Sequence, residues 1–226
     1  MNSNRYFFIT GTDTGVGKTL FTLALGTFLK NNNIKYNLIK PIETGCTPLP
    51  EDGVLYQKYL FPNKEINKIV PFQYQLPASP YISAKIERKE IEFANLLKSI
   101  TTLPEDIILI EGAGGLMVPI NKEKTFLDIV IEIQPEVFIV AANKLGVINH
   151  TLLTCKTLLK YGLQGKIILN DIYPEKNEVS ETNMEQLQLF SNCEILGRLP
   201  YFSGEINRKE LIGFIEPLAN NLKALF

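Results

Sequence analysis

Several classes of protein need residues that this sequence barely contains. Its single histidine, His150, leaves no Ser-His or Cys-His pair for nucleophilic catalysis. The three cysteines, Cys46, Cys155 and Cys193, lie too far apart for any metal-ligand or disulfide spacing. They read as small buried or half-buried residues in a reducing compartment. Nowhere do 18 apolar residues follow one another, and the N-terminal apolar run, Tyr6–Ile9, is too short for a signal peptide. The expectation is a cytoplasmic protein with no membrane partner. An excess of one charge is also missing, since 23 Lys and Arg oppose 24 Asp and Glu. A net charge of −1 offers no bulk field for nucleic acid, so any anionic ligand must be held by local geometry.

What is present suits one substantial core. The 226 residues are 45% hydrophobic, and a single domain over 1–226 is expected. Short apolar runs at Tyr6–Ile9, Tyr36–Ile39, Ile107–Ile110, Val137–Val140 and Ile167–Leu169 each end at polar, Gly or Asn residues. Between them, helical patterns start at Lys18, near Val54, near Ile91, around Phe126 and after Asn149, and two more cover Ser180–Phe190 and Leu211–Leu225. This alternation predicts an α/β fold with a mostly parallel central sheet and helices on both faces. The segment from Thr47 to Pro80, with prolines at 48, 50, 62, 71, 77 and 80, reads as less regular chain crossing the surface near the site.

The first strand runs into Gly11-Thr12-Asp13-Thr14-Gly15-Val16-Gly17-Lys18-Thr19, followed by an apolar helix. A glycine-rich turn between strand and helix aims backbone N–H groups at an anion, and the helix N-terminus adds its positive dipole end. Lys18 can reach the β- and γ-phosphates of a nucleoside triphosphate, and the Thr19 hydroxyl can join a Mg²⁺ shell. The common pattern puts four residues between the first Gly and Gly-Lys, whereas here five separate Gly11 from Gly17.

Charged residues end two other strands. Lys40, in Lys40-Pro41-Ile42-Glu43-Thr44-Gly45, is placed to neutralise charge on a transferred phosphoryl group, and reads equally as an exposed lysine before a turn. Glu111 leaves an apolar strand for Gly112-Ala113-Gly114-Gly115, where a carboxylate holds a metal ion or its water, or else stabilises the turn. Asp52 precedes a helical pattern and, taken alone, reads as its cap.

With these residues assembled, the chain resembles the dethiobiotin synthetases, ATP-dependent enzymes of biotin biosynthesis. The matching elements are Gly11–Thr19, Lys40–Gly45, Pro77–Pro80, Glu111–Gly115, Lys144–His150, Asn170-Asp171 and Gly197–Pro200, in the family's order along nearly the whole chain. The five-residue spacing in the first loop is the family's own form. The resemblance implies a P-loop NTPase-like fold and a cyclo-ligase using ATP and Mg²⁺. In that reaction CO₂ joins one amine of 7,8-diaminononanoate, the carbamate attacks the γ-phosphate, and the second amine closes the ring.

The resemblance also implies roles. Lys40 and Lys18 would be catalytic, with Lys40 on the carbamate and γ-phosphate. Gly15, Val16, Gly17, Lys18, Thr19 and Leu20 would bind the phosphates, faced by Gly112, Ala113 and Gly114. Thr19, Asp52 and Glu111 would hold Mg²⁺, which replaces the capping reading of Asp52. Thr14, Thr44, Gly114, Leu145 and Asn149 would contact the substrate, and Asn170, Asp171, Pro200, Tyr201 and Phe202 would frame the base. Lys144–Asn149 would reach the partner subunit's substrate, which implies a homodimer. His150 reads as a capping, packing or dimer-contact residue.

A nucleotide switch of the partitioning or septum-positioning type shares this fold, but such switches carry a lysine where Asp13 stands. A corrinoid-pathway amidoligase needs a glutaminase domain for which 226 residues leave no room. A non-catalytic nucleotide-binding module does not explain why Lys40, Asp52 and Glu111 should all face one crevice.

Overall fold

A computed structural model describes residues 4–175 and 177–226. Six parallel strands form the main sheet: β1 (Arg5–Gly11), β2 (Asn37–Ile39), β5 (Ile107–Glu111), β6 (Glu136–Ala142), β7 (Gly165–Asn170) and β8 (Glu194–Leu199). Their spatial order is β2-β5-β1-β6-β7-β8. From β1 the chain passes to the edge strand β2, returns to β5 between β2 and β1, and then adds β6, β7 and β8 outward on the other side, so the direction of build changes across β1. In open α/β sheets the ligand crevice lies at such a point, beyond the carboxyl ends of the strands.

Both faces of the sheet are covered, which explains why its central strands are continuous apolar runs. Side chains alternate along β6: Phe138, Val140 and Ala142 enter one core cluster, and Val137, Ile139 and Ala141 the other. The first cluster is closed by α1 (Lys18–Asn31), α2 (Glu51–Tyr59), α9 (Arg208–Ile215) and α10 (Ala219–Lys223). The second is closed by α4 (Pro80–Glu87), α5 (Phe93–Thr101), α6 (Phe126–Ile133), α7 (Val147–Lys160) and α8 (Glu178–Phe190). The mostly parallel sheet with helices on both faces is therefore as expected. Cys46 and Cys155 are buried and Cys193 is half-buried, all free. Among the described residues no helix is long and apolar enough to cross a membrane.

Four local expectations need correction. Strand β8 was not legible because, on the sheet edge, it carries Glu194, Gly197 and Arg198 in place of an apolar run. Beyond α2, which meets the expected helix near Val54, the stretch between Thr47 and Pro80 is more ordered than its prolines suggest, holding a short helix α3 (Ile66–Ile69) and strand β4 (Phe72–Tyr74). Strand β4 pairs in parallel with β3 (Ile42–Thr44) in a separate two-stranded sheet. Pro50 is the N-cap of α2 and Pro80 is the first residue of α4, so both prolines start helices instead of interrupting them.

The C-terminal helix expected over Leu211–Leu225 is split. It ends at Ile215, passes through a 3₁₀ turn at Glu216–Leu218 and resumes at Ala219, because Pro217 has no N–H to donate to the preceding turn. Helix α7 starts at Val147 with Gly146 as its N-cap, ahead of the expected start after Asn149. His150 then lies within the first turn and is exposed, so it neither caps the helix nor packs within the subunit.

Candidate active site at the carboxyl ends of the strands

Two glycine-rich loops meet beyond the central strands. The phosphate loop follows β1, and the Gly11 N–H donates to Gly114 O in the loop after β5 at 3.2 Å, drawing the two glycine-rich turns together. Between them and α2 lies a cavity of about 530 Å³, within the range of small-molecule sites. Its wall includes Thr14, Gly15, Gly17, Lys18, Thr19, Leu20, Lys40, Thr44, Asp52, Ala113 and Gly114, all expected site residues.

Gly17 is the N-cap of α1 at φ 99°, a backbone conformation that side chains rarely adopt. A Cβ there would stand 2.3 Å from Asn170 Nδ2. That amide donates to Val16 O at 2.9 Å, so the end of β7 braces the phosphate loop from behind. Lys18 begins α1, and its Nζ donates to Asp13 O at 3.0 Å. Burial lowers the pKa of Lys18, opposed by Glu111.

Lys40 decides between its two readings. It is 5% exposed, and its ammonium donates to Glu111 Oε1 at 2.9 Å and to Asp52 Oδ2. Burial works against its charge, but Glu111 and then Asp52 outweigh it and raise its pKa above the ordinary lysine value. It is therefore a clamped cation in the cavity wall shared with the phosphate loop, not an exposed lysine before a turn. Burial pushes Lys18 down, whereas the two carboxylates that Lys40 touches push it up.

Glu111 is fully buried at the end of β5. Its Oε1 accepts from Lys40 and from Thr19 Oγ1 at 3.3 Å, and its Oε2 accepts from Thr22 Oγ1 and Tyr56 Oη. The turn-stabilising reading fails, because these bonds lead to α1, α2 and Lys40 rather than to its own loop. Lys40, Thr19, Thr22 and Tyr56 thus surround both oxygens of the carboxylate.

The capping reading of Asp52 fails as well. The first turn of α2 is served by Glu43, whose Oε1 accepts from Asp52 N at 2.9 Å and whose Oε2 accepts from Gly53 N at 3.1 Å. The Asp52 side chain is left to meet Lys40. Burial pushes the Glu43 carboxyl up to about 7, with the Lys40 charge opposing.

Glu43, Tyr56 and Thr22 escaped the sequence reading. Tyr56 lies four residues after Asp52 and Thr22 four after Lys18, so each shares a helix face with an expected site residue, a signal that could have found them. Replacing Tyr56 by Phe is expected to destabilise the fold by about 1–3 kcal/mol, the effect of removing a donor from a buried charge. Urea unfolding would measure it, and stability equal to the parent's would mean that Thr22 and Lys40 hold Glu111 unaided.

A family profile described as an AAA domain matches residues 5–207. The ATP-dependent dethiobiotin synthetase of Thermodesulfovibrio yellowstonii is 38% identical over 223 residues, covering 91% of this chain and 92% of the relative. That of Aquifex aeolicus is 38% identical over 207 residues, with 90% of each chain covered. The chain belongs to the dethiobiotin synthetase family. The Bacillus subtilis dethiobiotin synthetase, 33% identical over 201 residues and covering 87% of each chain, agrees. Among solved structures, a plasmid partition protein of Borrelia burgdorferi bound to AMPPNP has a TM-score of 0.64 at 17% identity, covering 99% of each chain. A cell-division MinC:MinD complex of Aquifex aeolicus has 0.63 at 18%, covering 97% of this chain and 96% of that one. At such identities the likeness shows the P-loop fold alone.

Several residues that the dethiobiotin synthetase resemblance assigned lie outside the cavity wall. Val16, Glu111 and Gly112 are buried behind it. Asp171 is bound by Arg198 Nε at 2.9 Å to each oxygen and by Asn143 Nδ2 at 2.7 Å. Pro200 and Tyr201 are exposed, and Phe202 packs edge-on against Phe214 of α9 at 5.4 Å. Ile206, which was not expected, lines the cavity in this region. Leu145 is 84% exposed and Asn149 is exposed, both away from the cavity.

Proposed function

We propose that this member of the family, acting as one domain over residues 1–226, closes the ureido ring of dethiobiotin from 7,8-diaminononanoate and CO₂ at the expense of ATP. The observation that carries the reading is Lys40, a buried cation held by Asp52 and Glu111 opposite the phosphate loop. The reaction needs positive charge where oxyanions grow and two reactants held in register; it does not need a side-chain nucleophile.

CO₂ first bonds to one amine of the diamine, which releases a proton and leaves a carbamate. A carbamate oxygen attacks the γ-phosphorus and ADP leaves, giving a carbamic–phosphoric anhydride. The second amine attacks the carbamoyl carbon, phosphate departs, and the ring is closed. In this reading the backbone amides of Gly15–Thr19 and the Lys18 ammonium cradle the phosphates, and Lys40 bridges carbamate and γ-phosphate. Thr14, Thr44 and Gly114 hold the diamine. Asn170, at the back of the loop, and the chain beyond Pro200 frame the base, with Asp171 fixed by Arg198.

The donor set fits Mg²⁺. Thr19, Asp52 and Glu111 offer only oxygen, as this ion prefers, and the two carboxylates already share a single cation in Lys40. Thr19 and Asp52 would hold the ion, with Glu111, buried behind the cavity wall, acting through its water. Bound there, Mg²⁺ would neutralise phosphate charge. EDTA is expected to stop turnover while leaving the circular dichroism spectrum unchanged.

The exposed Leu145 and Asn149 support a homodimer in which this segment reaches the neighbouring subunit's substrate, as a dimer in sedimentation velocity would report. The free cysteines fit a cytoplasmic protein. The decisive assay supplies diaminononanoate, bicarbonate, ATP and Mg²⁺ and looks for the ureido product. ATP turnover indifferent to the diamine would sink the assignment.

A further inference from the structure

We infer that Glu43 is a positioning residue, which sets the Asp52 carboxylate in the site and ties it to the strand that carries Thr44. The inference rests on the reading of Asp52 as a metal-holding residue.

Helix α2 cannot fix its own start. Its N-cap is Pro50, which has no side-chain acceptor, and no side chain of the segment caps it. The amides of Asp52 and Gly53 would be orphan donors at a largely buried helix end. Glu43, 6% exposed, reaches across from β3 and receives one of them on each oxygen. A carboxylate at this place also complements the positive end of the helix.

The two bonds go to Asp52 itself and to its neighbour, so Glu43 fixes the backbone from which the Asp52 carboxylate extends. Lys40, three residues before Glu43, donates to that carboxylate, and Thr44, the next residue, lines the cavity. One side chain thus joins the second cation of the site, its carboxylate partner and the cavity wall. Strand β3 is only three residues long and pairs with β4 alone, so the main sheet does not supply this registration.

The test compares Glu43→Gln, Asp52→Asn and the double variant with the parent. The readouts are Mn²⁺ binding in the presence of a nonhydrolysable ATP analogue, followed by electron paramagnetic resonance, and thermal melting. Gln keeps the volume but offers one acceptor where two are needed, and turns an NH₂ toward a donor. Its Mn²⁺ dissociation constant is expected to rise about tenfold, as for other outer-shell partners of metal ligands. Asn at 52 is expected to weaken binding further, and the double variant to match Asp52→Asn alone.

Parent-like Mn²⁺ binding in Glu43→Gln beside weakened binding in Asp52→Asn overturns the inference and leaves the reading of Asp52 standing, even if the melting temperature falls. Fully additive effects in the double variant overturn it too, because Glu43 would then act independently of Asp52. Unchanged binding in Asp52→Asn removes both.

Discussion

Lys40→Gln is expected to lower dethiobiotin formation by about a thousandfold or more while leaving a folded protein. The ammonium is buried between two carboxylates on the wall of the cavity, and in the proposed reaction it bridges carbamate and γ-phosphate. Removing a single preorganised donor from a developing oxyanion slows catalysis by about 10²–10³, and removing a cation from phosphoryl transfer slows it by more. Gln is the informative replacement because its NH₂ can still donate to Glu111. Ala would leave that buried carboxylate without its cation, a loss of about 3–5 kcal/mol when one partner of a buried pair is removed. Steady-state kinetics and thermal melting together separate the two effects. Turnover of the Gln variant within tenfold of the parent would take Lys40 out of the mechanism.

Gly17→Ala is expected to weaken ATP binding by about a hundredfold or more, measured by calorimetry. Two effects act together. Residue 17 has φ 99°, which strains any residue with a Cβ, at about 1–2 kcal/mol for the left-handed backbone. The added Cβ would also meet Asn170 Nδ2 at 2.3 Å, and this amide cannot retreat without giving up its bond to Val16 O. The loop amides would turn away from the phosphates, and the residue at the end of β7 would shift with them. Gly15→Ala makes the comparison, since its φ is also positive at 68° but a Cβ there meets nothing within 4 Å. Its smaller expected loss isolates the backbone strain. Equal losses in the two variants would show that the Asn170 clash contributes nothing.

Strands β1, β5, β6 and β7 were legible because burial on both faces forces a contiguous apolar run. Strand β8 was not, since an edge position admits the Glu194, Gly197 and Arg198 that hide it. Proline 80 misled for a related reason: as punctuation it marks a break, but whether a helix ends or begins at that break depends on the residues C-terminal to the proline. In the site, the motif containing Glu43 was read for Lys40 and Thr44. A glutamate on a three-residue strand gives no local sign that it will cap a helix beginning eight residues later.

The sequence by itself determined the phosphate loop, the α/β class and the family, because each is written in contiguous residues whose backbone geometry or burial is set close by. Only the tertiary structure decided the state of the charges. Lys40 could stand in water or be clamped, and its carboxylates come from 12 and 71 residues away. Asp52 could cap a helix or face Lys40, and a side chain nine residues before it settles the choice. Charge pairing in a buried site depends on which groups the fold brings within about 4 Å, and the resulting Coulomb energy is invisible to any local pattern.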